Sequence, residues 1–194
     1  VEKKMTPMEP GSSQPNPSSF IVANAGRMFK MPVYTLTPVE EWKCHAQAIH
    51  QYWVAPEELS TEPRHNTRLS THQQVAELAE SIAAEVVVAR YFGLDYSIEE
   101  SCFKRKADVG QGLEVRWTHY DNGQLIVRGN DRENDIAVLV VGRSPNFKIA
   151  GWIPVTVARK PRYKNGIESS WFVPQNNLAP INELAGSKYA NAIR

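Results

Sequence analysis

Ala107-Asp108-Val109-Gly110-Gln111-Gly112-Leu113-Glu114-Val115-Arg116 is the stretch from which this chain is best read. An acid stands beside a glycine-rich turn, and the turn leads into a second acid and then a base. In an extended strand successive side chains point to opposite faces. Glu114 and Arg116 therefore share one face, and Leu113, Val115 and Trp117 share the other. Gly110 and Gly112 permit backbone angles closed to other residues, so Asp108 can fold back toward Glu114. Two carboxylates converging beside a cation, on a strand anchored from behind by apolar residues, suit a hard divalent metal that takes oxygen ligands. The plainer alternative is a solvated β-hairpin with its charges on the wet face.

Downstream of this stretch the pattern is strand-rich. Leu113–Tyr120 and Gln124–Arg128 flank Asp121-Asn122-Gly123, a two-strand hairpin signal. Residues 136–141 form a continuous apolar run, as expected of a central strand buried on both faces. Residues 147–155 read as a further strand region with Gly151-Trp152 inside it, residues 170–173 as a short last strand, and residues 180–190 as a weak terminal helix.

Upstream, two helices are expected. Thr37 and Glu40 make a capping box with Pro38 at the first helical position. That helix continues through Trp42, Ala46, Ile49 and Trp53, an apolar stripe at helical spacing, and stops before Pro56. A second helix runs from Thr71 to Phe92 and ends at Gly93, with Val75, Leu78, Ala79, Ile82, Val86 and Ala89 on its apolar face. Glu85 falls at the edge of that face. A carboxylate there needs a partner, because an unpaired buried charge is costly. A metal, a basic side chain or water would each serve.

The 194 residues suit one domain with tails: an arm over 1–32, a folded domain over 33–178 and a C-terminal tail or short helix over 179–194. Pro7, Pro10, Pro15 and Pro17 among Ser, Gly and Asn give the arm too little apolar surface for a core. No apolar run approaches the ~20 residues of a membrane helix, and no secretory h-region is present. Cys44 and Cys102 are read as reduced thiols of an intracellular, cytoplasmic protein. His45, His50, His65 and His72 show no metal spacing with the cysteines. The net charge of +1 hides an asymmetry. Residues 38–101 hold 11 acids and 4 bases, whereas residues 102–168 hold 12 bases and 7 acids. A polyanionic partner is the simple functional reading of that basic half, and ordinary solvation of a strand-rich surface is its rival. No phosphate loop, nucleophile elbow or zinc cluster points to another enzyme class.

The order of motifs resembles the PD-(D/E)XK nuclease superfamily, in which a helical acid is followed by Asp and then by Glu-x-Lys. Here the sequence runs Glu85, Asp108, Glu114-Val115-Arg116. The surroundings are similar to small phage and bacterial members, through Ala83-Ala84-Glu85, Asp108-Val109-Gly110, Ile126-Val127-Arg128, Asp131, the apolar run over 137–141 and Gly151-Trp152-Ile153. The resemblance covers roughly residues 38–155 and rests on the order of individually weak motifs. It implies an α/β restriction-endonuclease-like fold: a mixed β-sheet flanked by helices in a single domain, with helix 71–92 packed on the sheet. It implies Mg²⁺- or Mn²⁺-dependent hydrolysis of phosphodiester bonds in DNA, RNA being the other nucleic acid left open. Asp108, Glu114 and the Val115 carbonyl would hold the metal, and Glu85 would complete the site or hold a water. Lys104, Arg105, Lys106 and Arg128 would contact the nucleic-acid backbone. Ala107 stands where the family name puts proline, and Arg116 where it puts lysine. Arginine binds phosphate bidentately but stays protonated and cannot act as a general base, so Arg116 would serve as an electrostatic clamp. The substitution also leaves room for the alternative, a phage accessory protein that keeps the fold and binds nucleic acid or protein without catalysis. A structural adaptor meeting a protein through its acidic helices is a third reading. Oligomeric state is left open, a dimer included.

Overall fold

The computed structural model describes residues 20–24, 27–59, 68–100, 106–166 and 169–194, with backbone alone considered for 20–24 and 27–30. Its two long helices start and stop where local chemistry dictates. Helix α1, Pro38–Val54, opens on Thr37, whose hydroxyl accepts from the Glu40 amide while the Glu40 carboxylate accepts from the Thr37 amide. Helix α2, Thr71–Phe92, opens on the same reciprocal box between Ser70 and Gln73 and ends on Gly93 in the left-handed region at φ 64°. Each cap satisfies amides or carbonyls that a helix end leaves unpaired, typically worth ~1 kcal/mol.

The sheet is mixed. Strands β3 (Val33–Thr35), β4 (Leu113–Thr118), β6 (Ile136–Arg143) and β7 (Asn146–Pro154) lie in the order β3-β7-β6-β4. β6 runs antiparallel to β7 but parallel to β4, in the register Glu114–Ala137 and Arg116–Leu139. β6 is thus the central strand that its apolar run predicts, buried from Ile136 to Val141. The expected hairpin from β4 into the next strand does not form. β5 (Leu125–Arg128) pairs instead with β8 (Ser170–Val173), antiparallel, in a separate two-stranded ribbon. The turn itself is made, with the Gly123 amide donating to the Tyr120 carbonyl at 2.9 Å. Turn chemistry fixes a local reversal, while burial of Leu125, Val127 and Val173 against the sheet decides the strand partner.

Three layers result. One face of the sheet, through Leu113, Val115, Val138, Val140 and Ile149, packs on α2 and on Cys44 and Ala48 of α1. The other, through Ala137, Leu139, Val141 and Ile153, packs on the β5–β8 ribbon and on α3 (Val155–Ala158). Among the described residues, long helices therefore cover one face only. At the N-terminal end, residues 1–19 of the expected arm lie outside the described residues. Its last part pairs as a hairpin, β1 (Phe20–Asn24) with β2 (Arg27–Met31), so regular backbone begins before the boundary set at 32. At the other end, residues 179–194 make 3₁₀ turns over Ile181–Glu183 and Ala190–Ile193 instead of a helix, and Leu184 is fully buried in the main core.

The stripe Trp42, Ala46, Ile49 and Trp53 does not face the core. The inward side of α1 is Cys44, Gln47, Ala48 and Gln51. Small residues let α1 approach the alanine-rich α2 closely. Gln47 Nε2 donates to the Glu99 carbonyl at 3.1 Å, Lys43 pairs with Glu99, and Arg90 of α2 pairs with Glu40. These contacts fix the helix with its tryptophans outward.

Candidate metal and nucleic-acid site

Gly110 adopts φ 57°, and a Cβ there would stand 2.9 Å from the Ala192 carbonyl oxygen. That oxygen accepts from the Gln111 and Gly112 amides, both at 3.1 Å, so the C-terminal turn caps the glycine turn. Gly112 supplies space more than an unusual angle, its missing Cβ lying 3.4 Å from Ala192 Cβ. Val109 and Leu113 close the turn by a reciprocal backbone pair. Asp108 folds back as expected, but it meets the backbone of β4: Oδ2 accepts from the Val115 amide at 2.8 Å.

That bond locates the Val115 carbonyl. Backbone groups alternate from side to side along a strand, and the Gly112 carbonyl accepts from the Ile136 amide of β6 at 2.8 Å. Gly112, Glu114 and Arg116 therefore turn their backbone toward β6, and Val115 turns its own to the outer edge, where Asp108 sits. Glu114 points its side chain to the ribbon face of the sheet and is buried, with Oε1 2.9 Å from Arg116 Nη2. The same Nη2 donates to Asp131 Oδ1 at 2.5 Å, and Asp131 Oδ2 accepts from the Arg128 amide at 2.7 Å. Burial pulls the Arg116 pKa down, but Glu114, Asp131 and Asp108 outweigh it and hold the guanidinium above its ordinary value. Arg116 is a fixed cation and has no proton to exchange.

Glu85 lies on the helix face. Its Oε2 accepts from Tyr96 Oη at 2.5 Å, and it lines a cleft of about 370 Å³ together with Tyr96, Lys106, Asp108 and Arg194. The structure thus brings Glu85 and Asp108 to one cleft, Asp108 and Val115 to one strand edge, and Glu114 and Arg116 to one buried ion cluster. It does not gather the acids into one ligand set: among the described residues, no three His, Cys, Asp or Glu side chains are grouped to hold a metal. The donors at the edge are nonetheless hard oxygens, the kind that Mg²⁺ and Mn²⁺ take.

Of the proposed backbone-contact residues, Lys104 and Arg105 lie outside the described residues. Lys106 is exposed, its Nζ 3.9 Å from Glu100, and Arg128 is exposed on the ribbon. Three further bases of the basic half, Lys160, Arg162 and Lys164, are exposed on that layer. Two sit over aromatic rings, Arg162 over Tyr163 at 4.6 Å and Lys164 over Trp171 at 4.5 Å. The contacts of Tyr96, Asp131 and Arg159 emerge from the fold alone. Arg159 Nη2 donates to the carbonyls of Arg128, Gly129 and Asp131 at 3.0, 3.1 and 2.5 Å. It thereby clamps the turn that holds Asp131 against Arg116. Of these, only Asp131 carried a signal in sequence, as an acid three residues beyond Arg128.

No family model, characterised protein or solved structure matches the chain. No helix among the described residues is long and apolar enough to cross a membrane.

Proposed function

We propose that the protein is a divalent-metal-dependent nuclease acting on DNA, with its site at the outer edge of β4. The observation that carries this reading is the Asp108–Val115 hydrogen bond. It sets an acid and a strand carbonyl on one edge, next in sequence to Glu114 and beside the Arg116 cation. Asp108, the Val115 carbonyl and Glu114 would hold Mg²⁺ or Mn²⁺, and Glu85, which lines the same cleft as Asp108, would complete the site or hold a water. A bound ion would supply Lewis acidity, activating water and polarising the phosphate. Arg116 would stabilise negative charge developing on the phosphate, already aimed by Glu114 and Asp131 and needing no reorganisation. The exposed bases of the ribbon layer would hold the nucleic-acid backbone without reading its sequence. The restriction-endonuclease-like character of the mixed sheet belongs to this same proposal.

One observation favours a second reading. Arg116 is already engaged by two carboxylates, and no three-acid ligand set is assembled among the described residues. A non-catalytic nucleic-acid- or protein-binding protein on this framework would look the same. Incubation with plasmid, linear duplex and single-stranded DNA, and with RNA, in Mg²⁺, Mn²⁺ or chelator separates the two. Metal-dependent cleavage supports the nuclease. Binding without cleavage under every condition supports the binder.

A further inference from the structure

The outward stripe of α1 has the spacing of a coiled-coil seam. Val39, Trp42, Ala46, Ile49 and Trp53 alternate steps of three and four, as positions a and d do. All five are exposed, Trp42 at 80% and Trp53 at 83%, while the opposite side of the helix, Cys44, Gln47, Ala48 and Gln51, is buried in the fold. A monomer gains nothing from two tryptophans in water on one helix face, and contiguous apolar patches of this kind mark interaction sites. We infer that this stripe is the seam of a symmetric dimer, in which α1 of one copy packs antiparallel on α1 of a second.

Two features select a second copy as the occupant. The first is the spacing itself. From Trp42 through Ala46 and Ile49 to Trp53 the steps are four, three and four, a series that reads alike in both directions. Reversed on its own two-fold mate, the stripe sets Trp42 against Trp53 and Ala46 against Ile49, large against large across the ends and small against medium at the centre. A two-fold interface requires such self-complementarity. The second is area. At roughly 200 Å² per tryptophan and smaller aliphatic contributions, the stripe offers about 450 Å² per copy, or about 900 Å² for the pair. Specific interfaces begin near ~1,000 Å², and the stems of Lys43 and His50 beside the seam supply the remainder. The dimer expected is a reversible one. This inference stands apart from the nuclease reading.

The test is sedimentation of the full chain over a wide concentration range, with Trp42→Glu, Trp53→Lys and their mixture alongside. The wild type should move from the 21.9 kDa monomer toward twice that mass as concentration rises. Each variant alone should dissociate at least about tenfold more readily, since buried aromatic anchors dominate interfaces. Circular dichroism should show both folded, because neither side chain contributes to the core. The mixture should recover the dimer. Antiparallel pairing sets Glu against Lys at one end and leaves Trp against Trp at the other, whereas parallel pairing would recover nothing. A wild type that stays monomeric up to its solubility limit would overturn the inference, and so would variants that still dimerise or a mixture that does not.

Discussion

Asp131→Asn is the most informative single substitution for the ion cluster. The Asp131 side chain is 1% exposed and faces two donors, Arg116 Nη2 on one oxygen and the Arg128 amide on the other. Asparagine has one acceptor oxygen and one NH₂ group. Whichever way it turns, one of those donors faces another donor. An orphaned buried donor costs ~1–3 kcal/mol, and breaking a buried ion pair by removing one partner costs ~3–5 kcal/mol. Glu114 remains 2.9 Å from Arg116 and keeps part of the compensation, which places the expected loss near the lower end, at ~3 kcal/mol. For a chain of this size that is a fall in Tm of about 6–12 °C. Urea unfolding gives the free energy, and Asp121→Asn is the control. Asp121 pairs with Lys148 at 3.1 Å but is 79% exposed, so its loss should cost at most ~1 kcal/mol. If Asp131→Asn costs no more than the control, the cluster does not hold the site as described.

Other consequences are equally specific. Arg159→Met removes the clamp on three carbonyls and should cost ~2–3 kcal/mol in urea unfolding, since hydrogen bonds to charged donors are the stronger ones. Glu80 carries a pKa raised above 4.5, chiefly by burial, with the Ser144 amide opposing the shift. A carboxyl raised in the folded state stabilises below its unfolded pKa, and that contribution is lost as pH rises through the folded value. Glu80→Gln should therefore melt above wild type at pH 7, with the gap closing toward and below the ordinary 4.5; a gap that widens on acidification would refute the sign. Duplex DNA binding should weaken steeply with added salt through counterion release, and Lys160→Ala with Lys164→Ala should lower the slope of log affinity against log salt by about two. Equal slopes would remove the ribbon layer from the interface.

What the sequence made legible was local. The Thr37–Glu40 box, the Gly93 stop and the apolar run of β6 each act within a few residues, and each appears in the structure where it was expected. Strand partnership was not legible, because nothing near Leu125 encodes that it will meet Val173. The facing of α1 was hidden for a related reason. Its stripe of large apolar residues has the periodicity of a core face, but the fold's close helix contact is made by Cys44 and Ala48. The resemblance drew Asp108 and Glu114 toward one metal. The structure sets Asp108 on the strand backbone and Glu114 on Arg116, and the partners that decide this, Asp131 and Arg159, lie 15 and 43 residues beyond Arg116.

The direct test of the site is cleavage of duplex DNA in Mn²⁺ by wild type, Asp108→Asn and Glu114→Gln, each verified as folded, with Mn²⁺ affinity measured on the same samples. Metal-dependent cleavage by the wild type is the expected result. Both variants should lose cleavage together with most of the affinity for Mn²⁺, while Arg116→Lys keeps activity and Arg116→Ala loses most of it. Cleavage and metal binding at wild-type levels in Asp108→Asn and Glu114→Gln would contradict the placement of the site on β4.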